Sequence, residues 1–332
     1  MAEVSRTFRA SLLSPFPHNL PPRARWCAAC PVTPRLGPTL CSVSTAASGD
    51  GTGVLEGGAI PWGCEIESLD NAERMQQWLS DSGLPPQKMA IDRVEVGERG
   101  LVALKNIRKG EKLLFVPPSL VITADTEWSS LEAGNVLKKY SVPDWPYLAT
   151  YLISEANVMD SSKWRRYISA LPRQPYSLLY WTRSELDMYL VGSPIKERAI
   201  ERINDVIGTY NDLRDRIFSK YPDLFPEKVF NMETFRWSFG ILFSRLVRLP
   251  SMDGKVALVP WADMLNHMPE VEAFLDYDKS SQGIVFTTDR SYQPGEQVKK
   301  LGGKPQPDQT RSRDVAFLTT TATGAACSPC NG

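Results

Sequence analysis

The chain has 332 residues, 42% of them hydrophobic, with 38 Lys and Arg balanced by 38 Asp and Glu. That length suits one large domain or two ordinary ones, with apolar residues enough for a sizeable core. The missing basic excess argues against a nucleic-acid partner, and no run of about eighteen apolar residues announces a membrane span. Six cysteines in a chain of this length do not make a secreted disulfide scaffold.

Residues 1–49 carry Arg6, Arg9, Arg23, Arg25 and Arg35 but a single acid, Glu3, among frequent serines and prolines. An arginine- and serine-rich, acid-poor leader without an apolar stretch is the pattern of an organelle transit peptide, read here as plastid-directed, with the mitochondrion as the alternative and an ordinary disordered terminus as the plain reading. Residues 50–67 read as a linker. At Asp70–Glu73 a helix start is expected, with Met75, Trp78 and Leu79 at helical spacing and Gly83 as its end. Strand-like runs follow at 89–96, 101–105 and 112–116, the last two separated by a turn at Lys109-Gly110.

The middle of the chain reads as helical. One helix is expected over Tyr147 to Val158. A longer one is expected over 194–218, with Ser193 as cap, Pro194 in the first turn, and Ile195, Ala199, Ile203, Val206, Tyr210, Leu213 and Ile217 along one face. Asn231 caps a further helix reaching Arg245. Strand-like runs return at 255–260, 271–277 and 283–288. Strands, then helices, then strands predict an α+β fold in which a large helical insert, at about 125–247, interrupts a β fold. After Val298 periodicity fades, and the Gly-, Pro-, Thr- and Ala-rich 299–332 is expected to be a disordered tail.

Three features could carry chemistry. Glu98-Arg99-Gly100 enters a strand, where a glycine permits close approach to the backbone; a simple turn is the plain alternative. Asp263-Met-Leu-Asn266-His267 directly follows the apolar run Val256–Trp261, and is either a site or a capped turn. His267 is the only histidine beyond the leader, so neither a metal site nor a Ser/His/Asp triad has a second histidine to draw on. Arg245 ends a helix bearing Phe235, Trp237, Phe239, Ile241, Leu242 and Phe243, and a cation in such surroundings calls for an anion, from the protein or from a ligand. The pairs Cys27/Cys30 and Cys327/Cys330 have zinc-ligand spacing but stand at opposite ends of the chain, and no metal is expected.

Together, Glu98-Arg-Gly-Leu-Val-Ala103, Phe239-Gly-Ile-Leu-Phe-Ser-Arg245 and Pro260-Trp-Ala-Asp263-Met-Leu-Asn266-His267 resemble the SET-domain methyltransferases. Trp164-Arg-Arg-Tyr-Ile-Ser-Ala-Leu-Pro172, followed by Tyr180-Trp181, is similar to the plant Rubisco large-subunit methyltransferase branch, and the likeness runs from about Asn71 to Val298. The resemblance implies a SET-type fold over 68–298 and S-adenosylmethionine as cofactor. It implies that Glu98, Arg99 and Gly100 flank the cofactor, that Asn266 bonds its methionine part and that His267 sits against adenine. Arg245 would face the carboxylate, and Asp263 would order the loop. It implies a protein substrate in the chloroplast stroma, such as the Rubisco large subunit or fructose-bisphosphate aldolase, methylated on lysine.

The family continues from here into a strand ending in Tyr-Gly. This chain has Lys299-Lys300-Leu301-Gly302, and no tyrosine follows Tyr292. No catalytic residue is therefore identified, and the expectation is a truncated or alternatively spliced isoform. Two functions stay open: a protein-lysine N-methyltransferase, or an inactive variant acting as a binding or decoy protein.

Overall fold

The computed structural model describes residues 60–64, 69–95, 98–125, 128, 131–267 and 275–300. The chain divides into two units, 1–54 and 55–332. The first, with the expected transit peptide, lies outside the described residues, as do most of the expected linker, the tail from 301 and all four cysteines of the C-x-x-C pairs.

Helix α1, Leu69–Asp81, buries Ala72, Met75 and Leu79. Asp70 stands inside its first turn rather than at the cap, where its charge still complements the helix N-terminus. Gly83 follows with φ +101°, as a helix-ending glycine should. Strands β1, Met89–Glu95, and β2, Glu98–Ala103, form an antiparallel pair. Strand β3, Lys112–Val116, follows a turn in which Glu111 N donates to Arg108 O at 3.1 Å and Gly110 takes φ +77°. That turn does not make a hairpin, because β3 belongs to a different sheet.

Strand β4 is only Ile122–Thr123. Six helices then precede the next strand: α2, Glu132–Lys139; α3, Asp144–Asn157; α4, Arg165–Ala170; α5, Arg183–Tyr189; α6, Ile195–Arg216; and α7, Met232–Arg245. Helix α3 starts three residues before the expected Tyr147. Pro146 does not block it, because a proline in the first turn lacks only an N–H that has no intrahelical acceptor. Residues Tyr147 through Ile153 are buried on every face, so α3 is a central helix. In α6, Ala199, Val206, Tyr210 and Leu213 are buried along the expected face. Its N-cap is Pro194 rather than Ser193, although the Ser193 hydroxyl accepts from Ile195 N at 3.3 Å.

Strands β5, Val247–Leu249; β6, Lys255–Leu258; β7, Asn266–His267; β8, Leu275–Asp278; β9, Gly283–Thr287; and β10, Gln297–Lys300, complete the described elements. They form three sheets, ordered β1-β2-β10-β7, β3-β9-β8 and β4-β6-β5. Both β4 and β5 pair with β6, so the helices lie between two strands of one sheet. That is the expected insertion, and the architecture is α+β. Strand β10 runs antiparallel to β2 and parallel to β7, with Lys299 opposite Asn266 and Lys300 opposite His267. The expected boundary at Val298 is thus two residues short. The two lysines read as tail because lysine is a poor strand former, but β7 alongside supplies the pairing that their side chains do not promise.

Candidate functional site

The carboxyl end of the insert approaches the site through α7. The Asn231 carboxamide oxygen accepts from Glu233 N and Thr234 N at 3.0 and 3.1 Å, and Asn231 N donates back to Thr234 Oγ1 at 3.2 Å. This reciprocal cap holds three otherwise orphaned donors. Phe235, Trp237, Phe239, Ile241 and Leu242 are buried. Gly240 admits Pro175, whose Cβ and Cγ would lie 3.1 Å from any side chain there. So anchored, α7 delivers Ser244 and Arg245 at its last turn, with Arg245 Nη1 donating to Ser244 Oγ at 2.8 Å.

Two distant segments meet beside β10. Asn266 Nδ2 donates to the backbone oxygen of Arg99 at 3.0 Å, joining β7 to β2 across 167 positions of sequence. Gly100 lies under this bond. A Cβ there would fall 2.5 Å from Gln297 Nε2, 3.0 Å from Asn266 Nδ2 and 3.1 Å from Val94 Cγ1. The close approach that requires a glycine is therefore made by the protein's own carboxamides. Gln297 Nε2 is enclosed without a protein acceptor, which leaves a donor unspent next to the Asn266 amide.

The expected site residues do not all face one way. Glu98 and His267 are exposed, Asn266, Asp263 and Arg245 are half-buried, and Gly100 is buried. Arg99 is only 5% exposed, and its Nη2 donates to Ala170 O at the end of α4, 2.6 Å away. Its side chain is thus directed into the insert, and its backbone faces Asn266. The Asp263 carboxylate accepts from the Tyr167 hydroxyl of α4. Burial above all, and then the Asp263 charge, push the Tyr167 phenol well above its ordinary range, while the Arg245 and Arg99 guanidiniums oppose this. Tyr167 therefore stays a protonated donor.

Tyr167 and Gln297 had not been singled out as site residues. The signal for Tyr167 was its place in Trp164–Pro172, and Gln297 lies just before Val298, where the family likeness ends. Among the described residues no group of three or more His, Cys, Asp or Glu could hold a metal, and no helix is long and apolar enough to cross a membrane. A surface hollow of about 510 Å³ between Lys88, Asn106, Arg108, Lys109, Gly110 and Glu111 lies at the open end of the β1–β2 pair, away from Gly100.

Comparison with known proteins bears on this cluster. The family model of the SET domain matches residues 98–299, from the first residue of β2 into β10. The chain is 32% identical over 197 residues to the ribulose-1,5-bisphosphate carboxylase/oxygenase large subunit N-methyltransferase of Nicotiana tabacum, chloroplastic, covering 59% of this chain and 38% of that protein. It is 30% identical over 226 residues to the chloroplastic [fructose-bisphosphate aldolase]-lysine N-methyltransferase of Arabidopsis thaliana, covering 67% and 45%. It therefore spans less than half the length of either relative. Among solved structures, Rubisco LSMT bound to AdoMet superposes with a TM-score of 0.60 at 27% identity, over 74% of this chain and 55% of that one. The SET domain of LSMT bound to lysine and AdoHcy gives 0.62 at 27% identity, over 76% and 57%.

Proposed function

Because the chain belongs to the SET-domain family, we propose that it is an S-adenosylmethionine-dependent protein-lysine N-methyltransferase. Its proposed substrate is a protein of the chloroplast stroma, of the Rubisco large subunit or aldolase type. The observation that carries this reading is the meeting of residues 98–100 with 263–267, closed by the Asn266–Arg99 bond and bridged by β10. SET methyltransferases use S-adenosylmethionine, and the solved relatives are described as bound to AdoMet or AdoHcy. The plant relatives are described as chloroplastic, which supports the plastid reading of the leader.

The residues present fit such a cofactor. It bears a carboxylate and several acceptors, and the cluster offers the Arg245 cation, the Asn266 amide and the unspent donor of Gln297. Arg245 would hold the carboxylate, since a guanidinium makes paired charge-assisted bonds to it. Asn266 and the backbone of Glu98–Gly100 would hold the methionine part, and exposed His267 would lie against the adenine. Bound there, the cofactor supplies an electrophilic methyl group on a sulfonium. The protein's contribution is placement: α7, β2 and β10 fix these groups before the substrate arrives, and such fixing lowers the entropic part of the barrier.

The test is incubation of the 332-residue chain with methyl-labelled S-adenosylmethionine and either Rubisco or aldolase. Label recovered on lysine supports the enzyme. Cofactor binding with no transfer to any stromal protein would instead favour a non-catalytic binding protein.

A further inference from the structure

Three hydrogen bonds close a triangle around the candidate site. Arg99 Nη2 ties β2 to the last turn of α4 at Ala170 O. Asn266 Nδ2 ties β7 to the backbone of β2 at Arg99 O. The Tyr167 hydroxyl ties α4 to the short turn before β7, at Asp263 Oδ2. Two of the three sides therefore rest on α4, a six-residue helix of the insert that carries none of the residues proposed to touch the cofactor. The insert holds the pocket's two walls in register.

Tyr167 is suited to this task. It is fully buried, as are Ile168 on the same helix and the N-cap residue Trp164, so its ring is fixed by packing. Its hydroxyl stays protonated, and a neutral phenol donating to a carboxylate makes a strong bond without adding a buried charge. Asp263 is part of a turn in which Asp263 N bonds Val259 O at 3.1 Å and Leu265 N bonds Ala262 O at 3.1 Å. That turn leads directly into Asn266 and His267. Fixing the Asp263 side chain thus fixes where the next three residues emerge.

We propose that Tyr167 is a positioning residue for the cofactor pocket, acting through Asp263 to hold the Asp263–His267 turn against β2. This rests on the proposed function for its consequence, cofactor affinity, but its structural half stands without any cofactor. In Tyr167→Phe the hydroxyl is lost with little change of shape. Amide hydrogen exchange of the full chain, without ligand, should then quicken at 263–267 more than elsewhere in the core. Calorimetry should show S-adenosylmethionine binding weakened by about tenfold, the scale of one lost bond to a charged group. The matched control is Tyr151→Phe. It deletes another buried phenol oxygen, the one accepting from Trp164 Nε1 at 2.8 Å, and should leave both readings at 263–267 unchanged.

Because Asp263→Ala removes the other partner, the double variant should bind the cofactor no worse than Asp263→Ala alone. Unchanged exchange at 263–267 in Tyr167→Phe would overturn the proposal, as would additive losses in the double variant or an equal effect from Tyr151→Phe. If the unaltered chain bound no S-adenosylmethionine, the functional reading would fall, while the exchange experiment would still decide the role of Tyr167.

Discussion

Replacing Gly100 by alanine perturbs the site with one carbon atom. The new Cβ would sit 2.5 Å from Gln297 Nε2 and 3.0 Å from Asn266 Nδ2. The Gln297 amide is the end of a flexible side chain and can swing away, at a rotamer cost of about 0.5–1.5 kcal/mol. The Asn266 amide is held by its bond to Arg99 O, and losing that bond costs about 1 kcal/mol. Against this, alanine restricts the unfolded chain and returns about 0.4–1 kcal/mol. The net loss is then about 0.5–2 kcal/mol, which lowers the melting temperature by roughly 1–8 °C. Thermal unfolding measures the loss, and a cofactor titration on the same variant should show weakened binding, because both displaced amides belong to the proposed pocket. Gly110→Ala is the companion: nothing lies within 4 Å of its Cβ, but its φ is +77°. It should destabilise through backbone strain and leave cofactor binding intact. If Gly100→Ala melts at or above the parent temperature and binds normally, the crowding at Gly100 does not exist and the reasoning fails.

Removing the cap of α7 with Asn231→Ala should cost about 0.5–2 kcal/mol, read from denaturant midpoints at unchanged slope. Arg245→Gln should weaken S-adenosylmethionine binding by roughly ten- to a hundredfold, about 1.5–3 kcal/mol for a bond to a charged group; a normal titration would remove Arg245 from the pocket. High pH tests the buried phenols. Burial chiefly pushes Tyr147 up to about 12 and Tyr167 well above its usual range. Their folded-state values exceed the unfolded one, so the stability they contribute is whole below about pH 10 and is lost as pH rises beyond it. Phenolate absorbance should therefore show a late class of tyrosines that ionises only as the fold gives way, and free titration of every tyrosine near pH 10 would contradict the packing.

Where a local rule carried the information, the sequence was legible. Asn231 is a cap residue by type, and α7 begins directly after it and ends at the expected Arg245. The insert showed as helical periodicity between strand-like runs. Strands β4 and β5, of two and three residues, are too short for a period of two to register. Gly100 was noticed for close approach, but its neighbours, two amides of its own chain, come from positions 266 and 297. Tyr167 and Asp263 are 96 residues apart, so no spacing rule links them; the pairing exists only because α4 packs under the turn before β7. Lys299 and Lys300 looked like tail because their strand identity comes wholly from β7 alongside.

We propose that residues 98–100, 245 and 263–267 form one cofactor pocket. Isothermal titration of S-adenosylmethionine into the full 332-residue chain tests it most directly, with cooperative unfolding of the same sample showing that it is folded. One saturable site per chain is expected, competed by S-adenosylhomocysteine and weakened by Arg245→Gln. A folded sample that takes up no cofactor, or binds it with the same affinity when Arg245 is replaced, would contradict it.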